Sequence, residues 1–390
     1  MIEPVVLQEF QHGSEVRAID QKTAAALAKT ELVKVTPVSG GRWRLQTAGK
    51  VGSVRIGGLD VHVKPKMGIS RLLFLLGYAK NPNFLPEDSP GTAEDDLWPA
   101  LAESLVRYCE RALARGPIRG YASVEATLPL IRGRILVADQ IAARPGQSFP
   151  LEVRHDDYTA DIPENRLLRT ALRIMSEVPR LPDGIPGRIA RLEAHLREAH
   201  FLTGTSSNAA WPLTRLNSHY GDALQIAEIV LRHQSAETGP GGLKVASFVI
   251  PVHRVFEDFV AKALREAFAR FRVRVDDQVS SYLDEQRTVR IRPDVVTMLD
   301  GVPNTVVDAK YKFQDKAGTN GDVFQVVSYC TALGTTTGCL VYAHGVKEAE
   351  WQSIRNSPIR VLQYPLDLTA PPASILRSIA ELVERLLART

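Results

Sequence analysis

Residues 288–312 contain two strand-like segments separated by Asp300-Gly301, a dipeptide typical of a two-residue turn between antiparallel strands. The first segment contains Asp294 in the sequence RIRPDVV, and the second contains Asp308 and Lys310 in TVVDAKYK. Because strands joined by so short a turn fold back on each other, we expect the two carboxylates and the lysine to lie close together. No other pattern in the chain indicates chemistry as strongly.

Side chains alternate between the two faces of a strand, so this hairpin is expected to have one charged face and one packed face. On the first strand, Asp294 should share the charged face with Arg290 and Arg292. On the second strand, the expected charged face contains Asp308, Lys310 and Lys312. The expected packed face contains Val307, Ala309 and Tyr311.

Two neighbouring carboxylates suit a divalent cation with oxygen ligands, for which Mg²⁺ is the expected ion and Mn²⁺ an acceptable substitute. Such a cation lowers the pKa of a bound water and neutralises charge on phosphate oxygens, which suits attack on a phosphodiester. Lys310 would orient the water or stabilise the transition state, and a nearby metal and arginines are expected to lower its pKa. The competing interpretation is structural: two acidic residues beside a turn, on a basic and solvated strand face.

Helices before and after the hairpin contain further candidates. Glu257 lies in an amphipathic helix predicted for residues 254–271, where a third carboxylate would reach the metal or its water. Gln325 and Tyr329 are four residues apart in a helix predicted for residues 321–332, so they share one face and would hold the lysine or a phosphate. Each also has an ordinary interpretation, as a surface glutamate or as the polar edge of an amphipathic helix.

The order of the expected elements indicates an α/β protein. Residues 1–90 show short strands broken by turns, and residues 91–240 show a mainly helical pattern. Residues 241–390 follow the order helix, three strands, helix, two strands, helix, which predicts a mixed sheet covered by helices. We therefore expect a β-rich N-terminal domain, a mainly helical middle region and a C-terminal mixed-sheet domain. Polar stretches at 80–96 and 235–244 are the expected connections.

The composition is that of a folded soluble protein, with 44% hydrophobic and 24% charged residues and a net charge of +4 over 390 residues. This mild positive charge permits a polyanionic partner without requiring one. Cys109, Cys330 and Cys339 have neither zinc-site nor disulfide-framework spacing, which favours a reducing compartment. Neither a signal peptide nor an apolar segment of the roughly 20 residues that span a bilayer is recognisable, so we expect a cytoplasmic protein without a membrane partner.

These motifs resemble a known family. An acidic helix, a Pro-Asp strand, an Asp-x-Lys strand and a Gln-x-x-x-Tyr helix, in that order, are similar to the PD-(D/E)xK nuclease superfamily. Upstream, residues 54–79, 130–141 and 155–172 resemble the McrC family, the nuclease subunit of McrBC modification-dependent restriction systems. The resemblance covers about residues 50–390, and the block ENRLLRTAL is its most specific part outside the nuclease motif.

The resemblance implies a C-terminal domain like that of restriction endonucleases. In it, Asp294, Asp308 and the backbone carbonyl of Ala309 would bind the metal, and Lys310 would be the catalytic lysine. Family members act with McrB, a ring-forming AAA+ GTPase that translocates DNA, and the N-terminal region would dock on that ring and stimulate GTP hydrolysis. The chain has no GxxxxGK[ST] phosphate loop, so GTP would enter only through the partner. Basic residues of the N-terminal strands are candidates for that contact, although solvated surface is the more ordinary interpretation of each: Arg42, Arg44, Arg55, Lys64 and Lys66.

We therefore expect a Mg²⁺-dependent DNA endonuclease subunit of a McrBC-like defence system, with modified double-stranded DNA as its substrate. Two nuclease domains would have to associate to cut both strands, since one such site cuts one strand. Two alternatives are a stand-alone nuclease on the same fold and a non-catalytic activator of the motor. The intact Asp294, Asp308 and Lys310 disfavour the activator, and the long N-terminal region favours a protein with a partner.

Overall fold

The computed structural model describes residues 3–9, 14–82, 97–178, 181–202, 214–239, 243–312, 320–343 and 348–388. The connection expected at residues 80–96 lies almost entirely outside this described part of the chain.

The protein is a mixture of helices and strands, which confirms the predicted α/β class. In chain order, the strands are β1 (Val5–Gln8), β2 (Ser14–Arg17), β3 (Val33–Val38), β4 (Arg42–Thr47), β5 (Val51–Ile56), β6 (Leu59–Lys64), β7 (Gly120–Leu128), β8 (Arg134–Ile135), β9 (Leu151–Thr159), β10 (Gln234–Gly239), β11 (Leu243–Ile250), β12 (Arg274–Asp277), β13 (Ser281–Tyr282), β14 (Arg290–Ile291), β15 (Val295–Leu299), β16 (Val302–Lys310), β17 (Thr337–Tyr342), β18 (Glu350–Ser353) and β19 (Arg360–Pro365). The helices are α1 (Gln21–Lys29), α2 (Ile69–Tyr78), α3 (Leu97–Ala112), α4 (Val137–Ala143), α5 (Pro163–Ser176), α6 (Ile185–His195), α7 (Gly221–His233), α8 (Val252–Phe268), α9 (Asn320–Leu333) and α10 (Pro372–Leu387).

The chain forms two compact units. The first contains residues Met1–Leu97 together with Ser235–Thr390, and the second contains Trp98–Gln234. The first and last of the three expected domains thus belong to one unit, while their separation at residues 90 and 240 stays a prediction.

A five-stranded sheet joins the two ends of the chain within the first unit. Its strand order is β1-β6-β5-β11-β10, and β5 pairs antiparallel with β11, which lies almost 200 residues later in the sequence. Every residue of β5 is buried, as is usual for a strand in the middle of a covered sheet. Arg55 on β5 is therefore buried beside Asp60 and is not the exposed basic residue that the sequence predicted.

The second large sheet of this unit has the strand order β12-β15-β16-β17-β19-β18. Strands β15 and β16 are antiparallel and meet at a two-residue turn, whereas β16, β17 and β19 are parallel. The turn residues Asp300 and Gly301 have φ angles of 51° and 82°, the left-handed conformation that such a turn requires. The predicted hairpin and the predicted mixed sheet are both confirmed.

The face of β16 that contains Asp308 is packed, whereas the sequence predicted that only the opposite face would pack. Residues 305–309 of β16 are all buried, because helices cover the sheet on both sides. Val306 packs with Val326 of α9, while Tyr311, beyond the end of the strand, contacts Phe256 of α8 at a ring-centre distance of 5.9 Å. Asp308 and its neighbours therefore lie in the interior and not on a solvated surface.

The strand expected at residues 288–298 is interrupted just before Asp294. Strand β14 ends at Ile291 and β15 begins at Val295, and the two belong to different sheets. Pro293 lies in the break, where its missing N–H removes no ladder hydrogen bond. Asp294 therefore does not lie on one strand with Arg290, and the prediction that the two share a strand is wrong.

The second unit contains α3 to α7 and the small sheet β7-β9-β8. Helix α5 packs against α6 and α7, and it begins with the ENRLLRTAL block. Asn165 of this block is buried, and its amide donates hydrogen bonds to the carbonyls of Ile118 and Ala160 at 2.8 and 2.7 Å. Arg166 forms an ion pair with Asp161 at 2.7 Å. The block thus fixes the start of α5 to the adjoining loops.

Among the helices of the described ranges, none is both long enough and apolar enough to cross a membrane.

Gly52 is the position at which the first sheet should tolerate a side chain least. Its φ angle is 147°, and a Cβ atom there would lie 1.9 Å from the carbonyl oxygen of Phe248 on β11. We expect Gly52→Ala to lower the free energy of unfolding by about 2–3 kcal/mol, because the two strands must separate or the backbone must rearrange. The free energy of unfolding of the variant and the wild type can be measured by chemical denaturation, monitored by circular dichroism.

The matched control is Gly57→Ala, in the turn between β5 and β6. Gly57 also has a positive φ angle, 56°, but a Cβ atom there would meet nothing within 4 Å. Gly57→Ala should lower the free energy of unfolding by only about 1 kcal/mol, which is the backbone strain of a left-handed alanine. Equal losses in the two variants would contradict the close approach of β5 and β11.

Candidate active site

The register of β15 and β16 brings the two predicted carboxylates together. Val295 pairs with Val307, so Asp294, one residue earlier, lies beside Asp308, one residue later. The Oδ2 atom of Asp294 accepts a hydrogen bond of 2.8 Å from the backbone N–H of Ala309. This contact fixes Asp294 against β16 even though it lies outside a strand.

Helix α9 provides the contacts that orient Lys310. The Lys310 ammonium forms an ion pair with Asp308 and donates a hydrogen bond of 2.8 Å to Oε1 of Gln325. The Gln325 side-chain amide in turn donates to the hydroxyl of Tyr329 at 2.6 Å. The structure thus joins Asp308, Lys310, Gln325 and Tyr329 in one network of side-chain contacts and places Asp294 beside it, on the N–H of Ala309.

Burial and like charge raise the pKa of both aspartates. Burial raises the pKa of Asp294 to about 7, and the charge of Asp308 adds to that shift, while the hydrogen bond from Ala309 opposes it. Burial also raises the pKa of Asp308, by more than its attraction to Lys310 lowers it. Two such carboxylates are fully ionised at neutral pH only if additional positive charge lies nearby.

The protein groups alone raise the pKa of Lys310, whereas the lowering predicted from the sequence depends on a nearby metal and arginines. Burial acts to lower it, but the ion pair with Asp308 and the charge of Asp294 outweigh burial. Lys310 is therefore an ammonium group at neutral pH in this arrangement. It can donate hydrogen bonds and stabilise negative charge, but it is not prepared to accept a proton.

Glu257 is half-buried on α8, and burial together with the charges of Asp308 and Asp258 raises its pKa. It lies with Asp294 along a cleft of about 170 Å³ whose other lining residues include Lys80, Lys262 and Arg265. Glu257 is thus near the network without a hydrogen bond to it. Its position suits contact with a water molecule or a substrate group in the cleft.

The oxygen atoms of this site fit a divalent cation. Asp308 is 2% exposed, and its Oδ2 atom accepts no well-directed hydrogen bond from the described residues, although the Lys310 ammonium lies against it. A hard cation such as Mg²⁺ prefers carboxylate, carbonyl and water oxygens of this kind. In the described part of the chain, no three His, Cys, Asp or Glu side chains are grouped closely enough to hold an ion. An ion at Asp294 and Asp308 would therefore complete its coordination with the Ala309 carbonyl and with water.

Three further residues near the network were not predicted from the sequence, namely Asp322, Tyr342 and Glu9. Asp322, buried in the first turn of α9, forms an ion pair with Lys312 at 2.5 Å and accepts a hydrogen bond of 3.2 Å from the hydroxyl of Tyr342. Its only sequence signal is an acidic residue at a helix start, which is usual there.

On the other side of β16, the Tyr311 hydroxyl donates a hydrogen bond of 2.9 Å to Glu9, a buried carboxylate at the end of β1. Burial raises the pKa of Glu9 to about 7. The strand that carries Lys310 is thereby bonded to the N-terminal sheet. No local pattern indicates this contact.

The raised pKa of Asp294 predicts a pH-dependent stability. A carboxyl whose pKa is higher in the folded than in the unfolded chain stabilises the fold at low pH, and that stability is lost as pH rises from about 4 to about 7. Asp294→Asn keeps an oxygen acceptor for Ala309 but removes the charge. In EDTA, the variant should gain about 2 kcal/mol of stability relative to the wild type between pH 5 and pH 8. Parallel melting-temperature profiles across this range would contradict the electrostatic picture.

Comparisons with known proteins relate this architecture to a family. A family model described as "McrBC 5-methylcytosine restriction system component" matches residues 45–343. A search of curated protein sequences found no match.

A solved structure shows the same fold. One chain comes from a Thermococcus gammatolerans assembly described as a refined half-complex from a tetradecameric assembly of McrB AAA+ hexamers with bound McrC. It is 15% identical, the match covers 98% of this chain and 100% of that chain, and the TM-score is 0.64. A second comes from a cryo-EM structure of the Thermococcus gammatolerans McrBC complex, at 15% identity, with 69% and 89% of the two chains covered and a TM-score of 0.42. The family model matches well over half of the length of this chain, so the chain belongs to the McrBC restriction-system family.

Proposed function

We propose that the chain is the Mg²⁺-dependent DNA endonuclease subunit of a McrBC-like restriction system. The observation that carries this proposal is the group of two adjacent carboxylates, a lysine and the Gln325–Tyr329 pair, which come from β16, from the residue just before β15 and from α9. Membership of the family supports the restriction context. Together they favour a PD-(D/E)xK phosphodiesterase site.

In this proposal, Asp294, Asp308 and the carbonyl of Ala309 hold the metal. When bound, Mg²⁺ supplies a water of lowered pKa and offsets charge on the phosphate oxygens. The Lys310 ammonium, oriented by Gln325, stabilises the negative charge that develops on the reacting phosphate. Glu257 hydrogen bonds the attacking water from the cleft side, because its carboxylate is close to the network but is not part of a three-carboxylate cluster.

We further propose that the chain works with a McrB-like AAA+ GTPase in the cytoplasm. The related Thermococcus gammatolerans assembly contains McrB AAA+ hexamers with bound McrC. The chain itself has no GxxxxGK[ST] phosphate loop, so GTP would be bound and hydrolysed by the partner, whose activity the chain stimulates. Double-stranded, modified DNA is the proposed substrate, and two nuclease domains would associate to cut both strands.

Replacing the central groups should abolish cleavage. With Mg²⁺, the GTPase partner and GTP, Asp308→Asn and Lys310→Ala should each reduce DNA cleavage by about 10²–10³-fold or more, because charge stabilisation at the phosphate is lost. Both should still stimulate GTP hydrolysis by the partner. EDTA, which removes the metal, should reduce cleavage by the wild type to the same extent as these substitutions.

Glu384→Gln, an exposed carboxylate on α10, is the matched control for loss of one negative charge and should cleave normally. Cleavage by Lys310→Ala at the wild-type rate would refute the site assignment. Cleavage without the partner would instead identify a stand-alone nuclease. Stimulated GTP hydrolysis with no cleavage by the wild type would identify a non-catalytic activator.

The role of α9 can be tested separately. Gln325→Ala removes the oxygen that orients the Lys310 ammonium, so we expect kcat to fall by about 10–100-fold with little change in DNA affinity. Tyr329→Phe removes only the group that orients Gln325, and its effect should be smaller. Ser328→Ala, on the exposed side of the same helix, is the control. Steady-state cleavage kinetics distinguish the three, and equal activity in all of them would contradict the orienting role.

A further inference from the structure

The segment just before Asp294 forms a small hairpin, residues 278–292, that the proposed mechanism does not use. We call it the upstream hairpin. Its strands β13 and β14 are antiparallel, and Tyr282 pairs directly with Arg290, so their side chains share one face. Arg290 and Arg292 are both exposed, and Tyr282 is 41% exposed. Beside the candidate active site, the hairpin therefore presents Arg290, Arg292 and an aromatic ring to solvent, and a third arginine, Arg287, is exposed at its tip.

Hydrogen bonds and packing tie the upstream hairpin to that site. The N–H of Gln278 donates to the carbonyl of Asp294 itself at 2.8 Å. Within the hairpin, the N–H of Leu283 donates to the carbonyl of Val289 at 2.9 Å and holds its two strands together. Between these contacts, Ile291 is buried in the apolar cluster that also contains residues of β16 and α9. The arginines are thus held at a defined distance from the carboxylates.

The tip of the upstream hairpin is closed by its own side chains. Asp284 accepts hydrogen bonds from the N–H groups of Thr288 and Val289, at 3.0 and 2.7 Å, and from the hydroxyl of Thr288 at 2.6 Å. These bonds lower the pKa of Asp284 to about 2. A surface ordered in this way loses little conformational entropy when it binds a ligand.

The charges of the two arginines are not neutralised by the protein. Arg290 donates to the hydroxyl of Ser280 at 3.0 Å and Arg292 donates to the side-chain oxygen of Gln278, and both acceptors are uncharged. In the described part of the chain, neither arginine forms an ion pair. Arg274 on β12, by contrast, is ion-paired with an aspartate at 2.7 Å. Guanidinium groups that are fixed by neutral oxygens keep their charge and several donors for an anion.

We propose that the upstream hairpin binds the phosphodiester backbone of DNA next to the cleavage position, an inference that rests on the function proposed above. Arg290 and Arg292 lie four and two residues before Asp294, so the chain can separate them from it by at most about 13 and 7 Å. Each strand of a duplex carries one phosphate about every 3.4 Å along its axis, so both arginines reach phosphates that flank the one at the site. Tyr282 supplies an aromatic surface for a sugar or an unstacked base.

The test is equilibrium binding of the full chain to a short fluorescent DNA duplex in EDTA, at several salt concentrations between about 50 and 200 mM. In the double variant Arg290→Gln with Arg292→Gln, glutamine keeps a hydrogen-bonding group but removes the charge. We expect its affinity to be about 10-fold lower, and the dependence of log affinity on log salt to be less steep by about 2, or roughly one per lost phosphate contact. The control Arg377→Gln with Arg385→Gln removes the same charge from the exposed side of α10 and should bind as the wild type.

Cleavage by the same wild-type preparation, with Mg²⁺, partner and GTP, separates this inference from the proposed function. Selective loss of binding in the hairpin variant supports the inference even if the wild type does not cleave, in which case the nuclease proposal alone fails. Equal binding by the hairpin and control variants overturns the inference, and the nuclease proposal stands if the wild type cleaves. A wild type that does not bind DNA at the lowest salt also overturns the inference.

Discussion

The pairing of β15 with β16 is the constraint on which the candidate site depends. Its register puts Val295 opposite Val307, and this alone places Asp294 beside Asp308. Because side chains alternate with a period of two, a slip by one residue would move Asp308 to the opposite face of the sheet, away from α9. The two-residue turn at Asp300-Gly301 opposes such a slip, since both residues already adopt the left-handed conformation that it needs. A local backbone preference thus decides where the charged groups lie.

The resulting arrangement of charged groups lowers the stability of the fold. Asp294 and Asp308 repel each other in a buried setting, and the positive charge of Lys310 does not fully offset the cost, as the raised pKa of each carboxyl indicates. Like-charge pairs of this kind are characteristic of sites that bind a cation or transfer protons. A divalent ion would relieve the repulsion, so metal affinity and fold stability depend on the same two groups.

Several parts of the site could be predicted because they depend on near neighbours in the chain. The Asp300-Gly301 turn and the four-residue spacing of Gln325 and Tyr329 are of this type. Other features depend on packing between distant segments, and no local pattern encodes them. The hydrogen bond from Tyr311 to Glu9 joins residues 302 apart in the sequence. Likewise, alternation along β16 predicted its two faces but not that α9 would cover the polar one.

One buried cluster sets the spacing of the parts that surround the carboxylates. It includes Ile291 of the upstream hairpin, Val306 of β16 and Val326 of α9. Each is within two residues of a polar group discussed above: Ile291 adjoins the two arginines, Val306 precedes Asp308 by two residues, and Val326 follows Gln325 directly. Because interiors are close-packed, none of these segments can shift without displacing the others. The polar contacts therefore need not hold the site together. They set protonation and side-chain orientation, while apolar packing keeps mutually repelling groups at their separation.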